Sequence, residues 1–485
     1  MWYHIPLYMT RYTPTKLTKI VATIGPASDS VEMIERLILA GVNIFRFNFK
    51  HGEIAWYKER IQRVRAISAK LGMPVGTMMD LQGPSFRIIL DEAQKNIKAG
   101  DIFEFGSPVF TLTHPYIIKS LVQGQKLLID DGTIAFEVME APNAEGTVKI
   151  QSHSTALLKT RKSLNIPGAD FPVDLLTERD LTGIEIAVEE QMEIVAFSFS
   201  RTAQDIIDVR ARLAEKGCTA QICAKLETVQ SMDNLMEIVV ETDMVMVARG
   251  DLGVEAPIEN LAIYQKRMIE MCLKYGKPVI TATQMLASME FNSLPTRAEV
   301  SDVANAVFDN TDATMLSGES AVGKNPVEAV AMMAAIAAKA ESEGKEYRRP
   351  ITKLMLDNKV ARIAHVANKL YEDCTTHETP VAAFIVFTHT GRSARVLAHF
   401  RPEIPVHAFT DQQIVVGALC VDYGVIPHLV ETPNEGYVKQ VQVLEAVTKL
   451  KSKGYVHEGE MVIVLHGDSW SDQGGTSTVR LVTVA

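Results

Sequence analysis

Between Lys19 and Leu316 the chain alternates short apolar runs with longer stretches in which apolar residues recur every three or four positions. The runs Lys19–Ile24, Asn43–Phe47, Val75–Asp80, Ile194–Phe197, Gln221–Lys225, Met244–Val247, Val279–Thr281 and Ala313–Leu316 predict strands. The stretches Val31–Leu39, Trp56–Leu71, Ala203–Glu215, Ile258–Lys274 and Arg297–Phe308 predict amphipathic helices between them. Eight such units fit a (β/α)8 TIM barrel better than an open doubly wound sheet. Polar residues cluster just after the strands, where barrel enzymes carry their active-site loops. One stretch, roughly Pro84 to Asn165, breaks the rhythm. Its short alternating runs, such as Asp101–Phe105 and Ile134–Val138, are separated by Gly, Pro and Asp-Gly turns. They predict a small antiparallel β domain, a β-barrel lid inserted into a barrel loop. Past the charged segment Glu341–Pro350, helical and strand patterns alternate again: a helix over Asp357–Tyr371, strands at Val381–Phe387, Val406–Thr410, Gly424–Leu429 and Met461–Leu465. This is read as a C-terminal α/β domain with a mixed sheet. The expected division is an extension 1–17, a barrel 18–83 and 164–342, a lid 84–163 and a C-terminal domain 343–485.

Composition narrows the function classes. The 485 residues are 47% hydrophobic and 22% charged, enough for several cores. A net charge of −10 with no long basic block argues against a nucleic-acid partner. Five scattered cysteines without a CxxC pair point to reduced thiols in the cytoplasm. No apolar run reaches the ~20 residues that span a bilayer, and the first residues are too short and broken for a signal sequence.

The chemistry concentrates at two strand ends. Met244–Val247 runs into Arg249-Gly250-Asp251, and Gln221–Ala224 into Lys225-Leu226-Glu227. Two carboxylates, two cations and a bare backbone suit a divalent metal holding an anionic, phosphorylated substrate. Lys225 and Glu227, two apart on an extended chain, point to one side. Thr388-His389-Thr390-Gly391-Arg392-Ser393 follows a strand and opens a helix, a cradle for a second phosphate.

From about Thr18 to its end the chain resembles the pyruvate kinase family. The resemblance is carried by Thr18–Ser28, Gly41–Phe49, Lys225-Leu-Glu227, Met246–Glu255, Ala282-Thr-Gln-Met-Leu286, Pro295–Val307 and Met315–Ala321, in that order. It implies transfer of a phosphoryl group from phosphoenolpyruvate to ADP, yielding pyruvate and ATP in glycolysis. Such transfer needs positioning and charge neutralisation more than covalent help. The resemblance assigns Glu227 and Asp251 to Mg2+ or Mn2+, and Lys225 to the transferring phosphoryl group and the enolate charge. It places the backbone of Gly250 and Asp251 on the substrate carboxylate, where a Cβ would block close approach. Thr283 falls on the path of the proton delivered to the enolate. Arg46, Arg87 and Lys162 match phosphate-holding positions, and Pro26, Asn48 and His51 match the nucleotide pocket and cation site. Thr388, Thr390, Gly391, Arg392 and Ser393 match the loop at which the family binds phosphorylated effectors, and the family's members are commonly homotetramers.

The sequence departs from the family at its monovalent-cation site. Where K+-requiring members read Asn-x-Ser-His and Asp-Thr-Lys-Gly-Pro-Glu, this chain has Asn48-Phe-Lys50-His51 and Asp80-Leu81-Gln-Gly-Pro-Ser85. A lysine beside Asn48, Asp80 and Leu81 is expected to stand in for K+ and remove the requirement. Opposite charges 4 Å apart attract by about 4 kcal/mol at an effective dielectric of ~20. Two other readings accompany kinase activity: a non-catalytic effector-binding protein that keeps the fold, and a metal-dependent lyase acting through an enolate. Retention of Lys225, Glu227, Asp251 and Thr283 weighs against the first, and the lid with Arg46, Arg87 and Lys162 against the second.

Overall fold

Period-two alternation decides how the barrel closes. In the computed structural model, which describes residues 16–50, 52–169, 174–351, 353–355, 358–377, 381–432, 438, 440–470 and 475–485, eight parallel strands form a closed barrel in sequence order. They are β1 (Lys19–Thr23), β2 (Ile44–Asn48), β3 (Gly76–Asp80), β4 (Ile194–Phe197), β5 (Gln221–Leu226), β6 (Met244–Ala248), β7 (Val279–Ala282) and β8 (Ala313–Leu316). Outward positions such as Phe45, Phe47 and Val245 pack against the surrounding helices in one large core. Inward positions such as Val21, Ile44, Met78, Cys223 and Met246 fill the barrel's interior as a second core. Because side chains alternate, the next inward residues on β2, β3 and β5 are Arg46, Asp80 and Lys225. The apolar layer therefore ends in a polar one at the strands' C-terminal ends. Two of the barrel's helices start at reciprocal caps written in the sequence, Thr202 with Asp205 before Ala203 and Thr296 with Glu299 before Arg297.

The insertion after β3 consists of antiparallel strands in three small sheets, the largest of five strands, around their own core of residues such as Phe105, Phe110, Phe136 and Leu158. Past the barrel, five strands form a mixed sheet: β9 (Val381–Phe387), β10 (Val406–Thr410), β11 (Val425–Leu429), β12 (Met461–Gly467) and β13 (Thr476–Thr483). Their order is β11-β10-β9-β12-β13, with only the β12–β13 pair antiparallel. The tail thus ends in an edge strand, for which no apolar run gave a signal.

This sheet's domain stoppers the N-terminal end of the barrel. Cys420 and Val421 join the barrel's interior core. Gly76 and Gly417 meet so closely that a Cβ on Gly76 would collide with the Gly417 carbonyl. Arg395, on the helix Arg392–Ala398, donates to both carboxylate oxygens of Asp422 (2.9 and 3.3 Å) and to Gln221 Oε1 at the start of β5 (3.1 Å). Lys19 Nζ donates to the Val425 carbonyl (2.6 Å), and Arg401 pairs with Asp312 (2.9 Å).

Candidate active site

Above the apolar layer of the barrel opens a cavity of about 530 Å3 whose wall includes Arg46, Asp80, Lys225, Glu227 and Asp251. Its centre is a buried charge network. Arg46 donates from Nε to Asp80 Oδ2 (2.7 Å) and from Nη1 to Thr23 Oγ1 (2.8 Å). Lys225 Nζ lies 2.9 Å from Glu227 Oε1 and 3.4 Å from Asp80 Oδ1, and donates to Ser198 Oγ at 2.7 Å. Glu227 Oε2 accepts from the Phe199 backbone N–H (2.9 Å). Burial would raise the Asp80 carboxyl, but Lys225 and Arg46 outweigh it and hold the group below its ordinary value. Burial likewise opposes the Lys225 ammonium, yet Asp80, Glu227 and Asp251 lift it above the usual lysine range. Glu227 goes the other way: burial, reinforced by the like charge of Asp251, pushes it up to about 7 against the pull of Lys225. Glu227, buried beside the exposed carboxylate of Asp251 on the same cavity wall, makes with it a fitting oxygen donor pair for a divalent cation.

The neighbouring corner is built on strain. The helix Arg249–Glu255 begins directly at the end of β6, and Thr283 and Gln284, past β7, hold φ of +67° and +54°. A β-branched residue in the left-handed region is costly and persists only when its surroundings enforce it. Here Arg249 enforces it. Its buried guanidinium donates to the Ala282 and Thr283 carbonyls (3.1 and 2.6 Å) and to Asp302 (2.8 Å). Gly250 N–H, expected from sequence to be open to a substrate carboxylate, donates to Thr283 Oγ1 at 2.8 Å. A Cβ on Gly250 would meet only ordinary contacts with Thr283, so nothing in the protein's own packing demands glycine there.

The remaining sequence candidates are spread around this centre. Asn48, Lys50, Leu81 and Arg87 line the cavity, while Gly250, Thr283, Lys162 and Pro26 stand outside its wall. Lys162 Nζ is paired with Asp130 inside the lid (2.7 Å), and Arg87 Nη1 donates to the Arg161 carbonyl (2.8 Å). Pro26 is exposed in the turn after β1. Lys50 is exposed, its backbone N–H donating to Asn48 Oδ1 at 3.3 Å, and among the described residues its ammonium has no ion pair. Asp80 is occupied by Arg46 and Lys225 instead. His51 lies outside the described residues. In the C-terminal domain Gly391 (φ +82°) caps the helix bearing Arg392 and Ser393. Thr388, Thr390, Arg392 and Ser393 share a small cleft with Trp470. Ser393 Oγ lies 2.5 Å from Thr476 Oγ1, and His389 Nδ1 lies 2.8 Å from Asp411 Oδ1.

Sequence reasoning missed Ser198, Thr23 and the backbone of Phe199. Their position directly after or at the end of β4 and β1 was the available signal.

Comparison with known proteins follows the same outline. Residues 15–330 match the family described as pyruvate kinase, barrel domain, and residues 364–482 match pyruvate kinase, alpha/beta domain. Pyruvate kinase of Staphylococcus epidermidis is 36% identical over 480 residues, covering 96% of this chain and 80% of that one. Pyruvate kinase 2 of Synechocystis sp. is 35% identical over 483 residues, 96% of this chain and 79% of that one. A crystal structure of a pyruvate kinase from Cryptosporidium parvum superposes with a TM-score of 0.87 at 29% identity, with 97% of each chain covered.

Proposed function

The chain belongs to the pyruvate kinase family and transfers the phosphoryl group of phosphoenolpyruvate to ADP, and we propose that the buried Lys225–Asp80–Arg46 network is where it does so. The observation that carries the assignment is the Lys225 ammonium, fixed by three oxygens at the floor of the cavity. There it neutralises charge on the transferring phosphoryl group and on the enolate left behind, without reorganising as the reaction proceeds. Arg46 stands beside it with a forked donor already oriented by Asp80 and Thr23. The family generally uses a divalent metal. Glu227 and Asp251 would hold Mg2+ or Mn2+ here, the ion supplying charge neutralisation while this chain's residues orient substrate and exclude water. In this reading the Gly250–Asp251 backbone takes the substrate carboxylate, the Gly250 N–H exchanging its bond to Thr283 Oγ1 for it, and Thr283 serves the proton delivered to the enolate. Arg87 and Lys162, at the root of the lid, take the nucleotide phosphates, with Pro26, Asn48 and His51 assigned to the nucleotide by the sequence resemblance alone.

Lys50 replaces the monovalent cation in this reading. Asp80 is already neutralised by Arg46 and Lys225, and the Lys50 ammonium adds a tethered positive charge to the cavity wall beside Asn48 and Leu81. Full activity is expected in K+-free buffer, measured as ADP-dependent pyruvate formation, with Lys50→Ser making turnover respond to added K+. A strict K+ requirement in the unaltered enzyme refutes the role.

The Thr388–Ser393 cleft takes a phosphorylated effector, the chain works in the cytoplasm, and it assembles as a homotetramer. No described helix is long and apolar enough to cross a membrane. Phosphorylated metabolites that lower KM for phosphoenolpyruvate should lose that effect in Arg392→Ala, and molar mass in solution gives the assembly.

A further inference from the structure

Glu255 closes the motif that begins with Arg249, and no role was assigned to it above. It lines the same cavity as Asp251, and its carboxylate also reaches the lid. Asn165 Nδ2 donates to Glu255 Oε1 at 3.3 Å, and the Gly168 backbone N–H donates to the same carboxylate. Asn165 and Gly168 belong to the segment by which the lid returns to the barrel, three and six residues after Lys162. A second contact lies one residue away: the lid's hairpin turn Asp130-Asp131-Gly132 rests on Val254, whose methyls would lie 3.5 and 3.8 Å from a Cβ on Gly132. That turn also grips Lys162 through Asp130 and Ser163 through Asp131 (2.7 and 3.1 Å). Two parts of the lid, themselves tied together by these bonds, therefore seat on the last turn of the helix whose first turn carries Gly250 and Asp251.

We propose that Glu255 is a positioning residue: its carboxylate latches the lid's return segment to the Arg249–Glu255 helix and so fixes Lys162 and Arg87 relative to the metal-holding Asp251. The functional part rests on Lys162 and Arg87 contacting the nucleotide, as argued above. A seven-residue helix is short enough to move as one body, so the seat of its last turn also sets the angle of its first. The latch is a pair of hydrogen bonds to one acceptor group, and an amide oxygen can receive them as well. This distinguishes it from a role that needs the negative charge.

The test uses the full-length enzyme with saturating phosphoenolpyruvate and metal. Glu255→Ala is expected to raise KM for ADP about tenfold with kcat changed less than threefold, and amide exchange across residues 164–169 should quicken about tenfold. Asn165→Ala should move both readouts the same way by a smaller factor, and it serves if Glu255→Ala does not fold. Glu255→Gln should restore KM for ADP to within about twofold of the unaltered enzyme. The double variant Glu255→Ala/Asn165→Ala should be no worse than Glu255→Ala alone, because both changes break one contact. Multiplying effects in the double variant, a Glu255→Gln as impaired as Glu255→Ala, or unchanged exchange at 164–169 each overturn the latch. If Lys162→Ala leaves KM for ADP untouched, the nucleotide assignment fails by itself, and exchange at 164–169 in Glu255→Ala still decides the latch.

Discussion

Replacing Lys225 by methionine is expected to lower kcat about 10³-fold, the scale of losing a preorganised charge at a reacting centre, with kcat/KM falling by a similar factor. Methionine keeps the side chain's length and its packing against the barrel interior but removes the ammonium that touches Asp80, Glu227 and Ser198 together. Asp80 retains Arg46, whereas Glu227, already pushed up to about 7, loses its one opposing cation and moves further toward the neutral acid. The variant therefore damages the site twice: no charge on the phosphoryl group, and a weaker oxygen donor for the metal. The folded barrel should survive, because the apolar layer beneath, Cys223 and Met246 among it, is untouched. Steady-state kinetics beside circular dichroism checks this; a correctly folded variant with kcat within tenfold of the unaltered enzyme would remove Lys225 from its role.

The largest effect on stability is expected from Arg395→Ala. Asp422 is 1% exposed in its side chain and takes two hydrogen bonds from this one guanidinium. Burial already raises its carboxyl, and Arg395, with a smaller share from Lys19, opposes the rise. Truncating the arginine strands a buried carboxylate and also frees Gln221 at the start of β5, a loss of about 3–5 kcal/mol by comparison with broken buried ion pairs. Removing both charges with Arg395→Met and Asp422→Leu should recover most of it, since the pair's cost is chiefly that of leaving one partner alone. Urea unfolding of the three proteins measures the difference, and a single variant within 0.5 kcal/mol of the original would show that water, not the arginine, solvates Asp422.

The barrel was legible because its strands are buried on both faces and read as uninterrupted apolar runs. Ile194–Phe197 and Ala313–Leu316 begin and end where the pattern places them, and the others differ by a residue or two. The strand Thr476–Thr483 escaped notice because it lies on the sheet's edge, half exposed and rich in threonine, so no apolar run marks it. At the site, charged residues at strand ends were visible, since Lys225 and Asp80 stand out against apolar neighbours. What stayed hidden was pairing between distant segments. Nothing in the order of residues connects Ser198 to Lys225, Asn165 to Glu255, or Asp130 to Lys162. The left-handed backbone of Thr283 was equally silent, because threonine's own preference argues against it and contacts from Arg249 and Gly250, distant from it in sequence, hold it there.

The closure of the barrel also fixes an order of events during synthesis. β1 pairs with β8, Lys19 opposite Ala313, so the barrel's first strand must wait for its last before that edge is covered. The insert has no such debt: its strands, from Ile88 to Asn165, pair only with one another around their own core. At ribosomal speeds of ~5–20 residues per second, the host waits on the order of ten seconds after its guest is complete. In that interval β1, β2 and β3 stand as an open parallel edge with the finished lid hanging from it. The nascent chain is then at its most exposed to wrong partners, and chaperones have their longest opportunity to bind it.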